Sequence, residues 1–104
     1  MSKSKIIKEL TNLLAIALRH RIGSKVNSKE VYAAKYARDA DILLREAKKV
    51  AINEHWSKND KIKIKALLNK KLKDELAIRD FIDNKKFDIM ESEVEDVLNG
   101  LNLL

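Results

Sequence analysis

Seven lysines fall within sixteen residues of this chain: Lys58, Lys61, Lys63, Lys65, Lys70, Lys71 and Lys73. A surface so dense in cations attracts a polyanion, and each nucleic-acid phosphate that it neutralises adds a salt-dependent increment through counterion release. Lysine offers a point charge rather than a bidentate fork, so the expected contact is with backbone phosphates, without base readout. On a helical wheel most of these residues spread opposite the apolar stripe of their helix, while Lys71 falls on the apolar side. The competing account is a solvated helix face, its charge partly offset by Asp60, Asp74 and Glu75.

A second constellation repeats at helical spacing. Arg38, Ile42, Arg45, Lys49, Ile52 and Trp56 follow one another at intervals of four, three, four, three and four, and so share one stripe. Three cations interleaved with two isoleucines and the one tryptophan suit a groove binder, the cations for phosphate and Trp56 for stacking on a base. They equally suit a protein interface, where Trp and Arg are frequent anchors. A third account buries Ile42, Ile52 and Trp56 against a second neighbour, with the Arg stems alongside. Arg19 and Arg21, just before Gly23, form a basic corner that is a further candidate anion contact. A helix-turn-helix does not fit this corner, because Arg19 stands where a small residue is expected and the helix that follows is too long.

Catalytic constellations are missing from the sequence. Without Cys there is no disulfide, thiolate metal site or Cys nucleophile. His20 and His55 lie in different predicted helices with no partner at metal-ligand spacing. No Gly-rich loop precedes a helix and no nucleophile elbow is present. The HEPN ribonucleases are small, basic and helical, but their signature sets an Arg four to six residues before a His, and no Arg here precedes either His at that distance. Glu91 and Glu95 share a helix face without a calcium-loop pattern around them, which favours a solvated face. The chain is therefore expected to be non-enzymatic, with no metal and no cofactor.

These residues need helices to position them. With 104 residues, no Pro and two Gly, the chain reads as one all-α domain over 1–104. Ile6, Ile7, Leu10, Leu13, Leu14, Ala17 and Leu18 recur at three- and four-residue spacing and predict a first helix over 4–22, with Gly23 at its left-handed C′ position. Asn27 and Glu30 read as a capping box opening a second, Ala-rich helix of nearly 30 residues. Its small residues allow close approach, making it the expected central element. Ser57 to Asp60 opens a third helix lined by Ile64, Leu67, Leu68, Ile78 and Ile82, with Leu72 and Leu76 at the edge. The alternating Lys61–Lys65 segment alone suggests a strand, but the helical pattern around it prevails. After a turn at 83–86, a last short helix is expected from Ile89 to Asn99, capped by Asp88 and Glu91 and ended by Gly100. The predicted architecture is a small antiparallel bundle of three main helices plus a short acidic C-terminal helix.

Charge is divided unevenly along it. The net charge is +6, but residues 1–86 carry +11 and residues 87–104 carry −5, with no basic residue among the latter. That acidic segment also holds Met90, Val94, Val97, Leu98 and Leu101, a candidate seam for a protein partner or a second copy if it is not buried within one chain. The longest apolar run, Leu13–Leu18, is too short for a signal-peptide core or a membrane span, so a cytoplasmic protein without a membrane role is expected. Two functions are weighed: binding of nucleic-acid backbone, with the acidic helix regulating access or docking a partner, and a helical module for protein interaction or homo-oligomerisation.

Overall fold

The apolar spacing near the start of the chain forms a helix longer than predicted. In the computed structural model, which describes residues 2–104, α1 spans Lys3–Val26. Ser2 caps it, the hydroxyl accepting from the Lys5 amide at 3.4 Å. Gly23 is not at a C′ position but lies inside the last turns, and no described glycine has a positive φ. Its missing side chain serves packing instead: a Cβ there would stand 3.3 Å from Cδ2 of Tyr36 and 3.5 Å from Cδ1 of Ile82.

The capping box expected at Asn27 does not form. Residues 27–32 are turns, and α2 spans Ala33–Ile52 with no side-chain cap. Asn27 ties two turns together instead. Its Nδ2 donates to the Tyr32 hydroxyl at 2.8 Å and to the Phe81 carbonyl at 3.0 Å, and its Oδ1 accepts from the Asp83 amide at 3.0 Å. An amide engaged across the molecule is not free to cap a helix, so α2 starts later and runs to 20 residues. At its far end the chain leaves the helix and Trp56 folds back, its Nε1 donating at 2.8 Å to the Ala51 carbonyl in the last turn, which the Glu54 amide also approaches at 3.5 Å.

The signal at Ser57 holds in full. α3 spans Lys58–Ala77, with the Asp60 amide donating to Ser57 Oγ at 3.1 Å and the Ser57 amide to Asp60 Oδ2 at 2.9 Å. The Lys61–Lys65 segment is helical. Leu72 and Leu76 are not at the edge: Ile64, Leu68, Leu72 and Leu76, four apart, are all fully buried, while Ile78 is exposed beyond the helix end. α4 spans Lys86–Gly100, three residues earlier at its start than expected. It ends in a Schellman motif whose left-handed residue is Asn102 (φ 58°) rather than Gly100. The Leu103 amide donates to the Leu98 carbonyl at 2.8 Å and the Asn102 amide to the Asn99 carbonyl at 3.1 Å. Leu103 is thereby turned into the core.

The central element is α1, not the Ala-rich helix. α1 packs on α2, α3 and α4, and α3 also packs on α4, whereas α2 touches α1 alone. The reason is the size of the buried side chains. α1 buries Leu10, Leu14, Leu18 and Ile22, each large enough to reach several neighbours, whereas α2 buries Ala33, Ala40, Ala47 and Ala51. Hydrophobic stabilisation scales with apolar area, about 25 cal/mol per Å² buried. Four alanines bring one neighbour close but cannot organise a core. The pairings show the directions: Lys3 meets Asp60, Lys71 meets Thr11 and Arg19 meets Glu75, so α1 and α3 run the same way side by side. One core cluster draws on all the helices, in a molecule 40 × 21 × 21 Å across.

Candidate nucleic-acid interface

The lysine run divides into an outer row, an inner ridge and one inward member. Lys63, Lys70 and Lys73 lie exposed on the side of α3 away from its buried leucines, and among the described residues none is paired with a carboxylate. Lys63 and Lys70 border an open groove of about 610 Å³ between α1 and α3, floored by Ile7, Ala66 and Leu67. Lys3 lies at its end, held at 3.6 Å by Asp60 and at 3.8 Å by Glu54, with the Trp56 ring centroid 5.0 Å away. Lys8, exposed one turn farther along α1, is a cation that the sequence reading did not single out.

Lys58, Lys61 and Lys65 turn the other way and line a cleft of about 420 Å³ with Ile62, Leu103 and Leu104. There Lys65 meets Glu95 of α4 at 3.6 Å. Lys71 points into α1, its Nζ donating to Thr11 Oγ1 at 2.6 Å and to the Lys8 carbonyl at 3.1 Å. Burial, with the Lys8 charge second, pushes its pKa below the ordinary lysine value.

The Arg38–Trp56 stripe is broken. Arg38, Ile42, Arg45, Lys49 and Ile52 face outward from α2, with Ile42 55% and Ile52 70% exposed, so the account that buries both isoleucines does not hold. Trp56 lies outside α2, half-buried against the core, and does not join that stripe. Because α1 separates α2 from α3, the cations of this face do not join the lysine row of α3. Lys49 pairs with Glu46 at 3.3 Å.

The basic corner is held by carboxylates. Arg19 Nη1 lies 3.4 Å from Glu75 Oε2, which Arg79 Nη2 approaches to 3.2 Å. Burial lowers the Arg19 pKa, and the neighbouring Arg79 lowers it further against the pull of Glu75. Arg21 Nε lies 3.0 Å from Glu93 Oε2, and Lys25 donates to the other oxygen of the same buried carboxylate. The candidate partner seam also turns inward. Val94, Val97 and Leu98 are buried, and Met90 and Leu101 pack half-buried against them, because α4 directs this face onto α1 and α3.

The structure also gathers residues that no motif marked. His20, Tyr36, Tyr32 and Phe81 form a chain of rings, with centroids 5.1, 4.7 and 6.0 Å apart in that order. Tyr32 and Tyr36, four apart, carried a local signal, whereas Phe81 comes from the turn between α3 and α4 and carried none. His20 Nδ1 donates to the Ile16 carbonyl at 2.8 Å.

Comparison with family models, with curated proteins and with solved structures finds no match. The geometry alone therefore carries the functional reading. No cluster of His, Asp or Glu fit for a metal occurs among the described residues, and no described helix is long and apolar enough to cross a membrane.

Proposed function

We propose that this chain is a non-enzymatic, basic helical protein that binds nucleic-acid backbone in the cytoplasm as an accessory subunit of a nucleoprotein complex. The observation that carries this is the outer lysine row: Lys63, Lys70 and Lys73 are exposed and, among the described residues, paired with no carboxylate, and Lys63 and Lys70 border an open groove between α3 and α1. A lysine without an acidic partner has no ion pair to give up before it meets a polyanion. In this reading the acidic C-terminal helix of the bundle regulates access, Glu95 competing with phosphate for Lys65. A fluorescence-anisotropy titration with single- and double-stranded RNA and DNA at two salt concentrations tests it. Binding that weakens steeply with salt is expected, and no binding to any of the four at low salt overturns it.

A second reading, a protein-interaction module, rests on α2. Its outer face presents Ile42 and Ile52 beside Arg38, Arg45 and Lys49, and among the described residues no other helix covers it. Binding that fails for every nucleic acid would shift the weight to this face.

A further inference from the structure

We propose that the ring cluster at the turn end of the molecule is a stacking site for an unpaired base, so that the preferred ligand is single-stranded nucleic acid. The inference rests on the backbone-binding reading and adds a place where a base is held. Phe81 is 55% exposed although it is one of only five Phe, Trp and Tyr residues in the chain. Behind it Tyr32 meets the ring edge-on, its centroid 6.0 Å away at an interplanar angle of 88°.

The platform is built in advance. Asn27 donates both to the Tyr32 hydroxyl and to the Phe81 carbonyl, so one side chain fixes the position of both aromatic residues before any ligand arrives. A ring held in place loses little entropy on binding. The crevice between Phe81, Arg19, His20, Tyr36, Arg79 and Ile82 measures only about 20 Å³, which is too small for a base. A ligand must therefore lie over the outer face of Phe81 rather than enter the crevice.

Arg19 and Arg79, which share the carboxylate of Glu75, are the cations beside the ring, and the exposed Asp80 and Asp83 flank Phe81 in sequence, so the stacked base rather than its phosphate supplies the preference. Paired bases in a duplex interior present no free face, so only an unpaired base gains from the platform.

The test compares oligothymidylate with an abasic phosphodiester oligomer of the same length at one low salt concentration, the two sharing their backbone charge. The expected result is oligothymidylate binding about fivefold or more tightly, as one stacked base supplies roughly 1–3 kcal/mol. Phe81→Ala should remove most of that preference without weakening the abasic oligomer, and Phe81→Trp should keep it. Circular dichroism confirms that the variants remain helical. Equal affinity for both oligomers, or Phe81→Ala weakening both alike, overturns the stacking site and leaves backbone binding standing. Failure of both oligomers to bind overturns the backbone reading as well.

Discussion

Cδ2 of Tyr36 lies 3.3 Å from the point at which a Cβ on Gly23 would stand, so the end of α1 and the start of α2 meet through a missing side chain. Two effects of substitution oppose each other. Alanine in a helix interior gains up to about 1 kcal/mol over glycine, while overpacking costs about 1–3 kcal/mol. Tyr36 is half-exposed and can shift by a few tenths of an ångström. Gly23→Ala is therefore expected to leave stability within about 1 kcal/mol of the parent, and Gly23→Val to lose about 1–3 kcal/mol. Urea unfolding monitored by circular dichroism separates the two.

Acid should weaken the start of α3. The Ser57 backbone N–H is the main cause that holds the Asp60 carboxyl below its ordinary value of 3.8, with the Ser57 hydroxyl and Lys3 acting the same way against a partial desolvation effect. A carboxyl depressed in the folded state stabilises the fold above its unfolded pKa, and that stabilisation is lost as pH falls through the folded value. Lowering the pH from about 5 to about 2 should reduce the urea midpoint, and Asp60→Asn should flatten part of that fall. At neutral pH, Ser57→Ala should cost about 1 kcal/mol as the cap is lost.

Glu93 is the buried carboxylate that fastens α4 to α1, between Arg21 and Lys25. Removing one member of a buried pair strands the rest, but these cations are partly in solvent, which reduces the penalty. Glu93→Ala is expected to lower stability by about 2 kcal/mol, whereas Glu91→Ala, on an exposed residue, should change it by less than about 0.5 kcal/mol. Denaturant titration of the pair checks this.

The two cationic faces make separable predictions. Replacing Lys63, Lys70 and Lys73 with Gln should reduce the slope of log K against log salt by about 2–3, as three phosphate contacts are lost. Arg38→Gln with Arg45→Gln, on a face that α1 separates from the groove, should leave that slope unchanged. The measurement is a salt series with one single-stranded oligonucleotide.

Local signals were readable in proportion to how local their causes are. The Ser57–Asp60 box needs only four residues of chain, and it formed as read. The all-helical class and the apolar spacing of α1 also follow from neighbours along the sequence. What could not be read was which partner each face would find. Asn27 looks like a helix cap until its amide is seen bonded to Tyr32, Phe81 and Asp83, two of them more than fifty positions away. Gly100 competes with Asn102 for the left-handed position, and burial of Leu103 decides between them. In the candidate interface, helical spacing found the outer lysines of α3 and set Lys71 apart on the apolar side, where it meets Thr11, but could not separate the outer row from Lys65, whose partner lies on α4. Trp56 shared a stripe only while α2 was assumed to reach it.

Because α2 rests on no helix but α1, its detachment exposes its four buried alanines with the half-buried Leu44 and Val50, and leaves the contacts among α1, α3 and α4 in place. The folded molecule therefore has a low rung on its opening ladder: a partially unfolded form in which α2 is released while the other helices stay assembled. Amide protons of Ala40 to Ala47 should exchange with solvent well before those of Leu10 to Leu18, and a cut in the 27–32 turn should be tolerated better than one inside α1. Any partner that covers the outer face of α2 would remove that rung, and would be detected first as slowed exchange there rather than as a new contact.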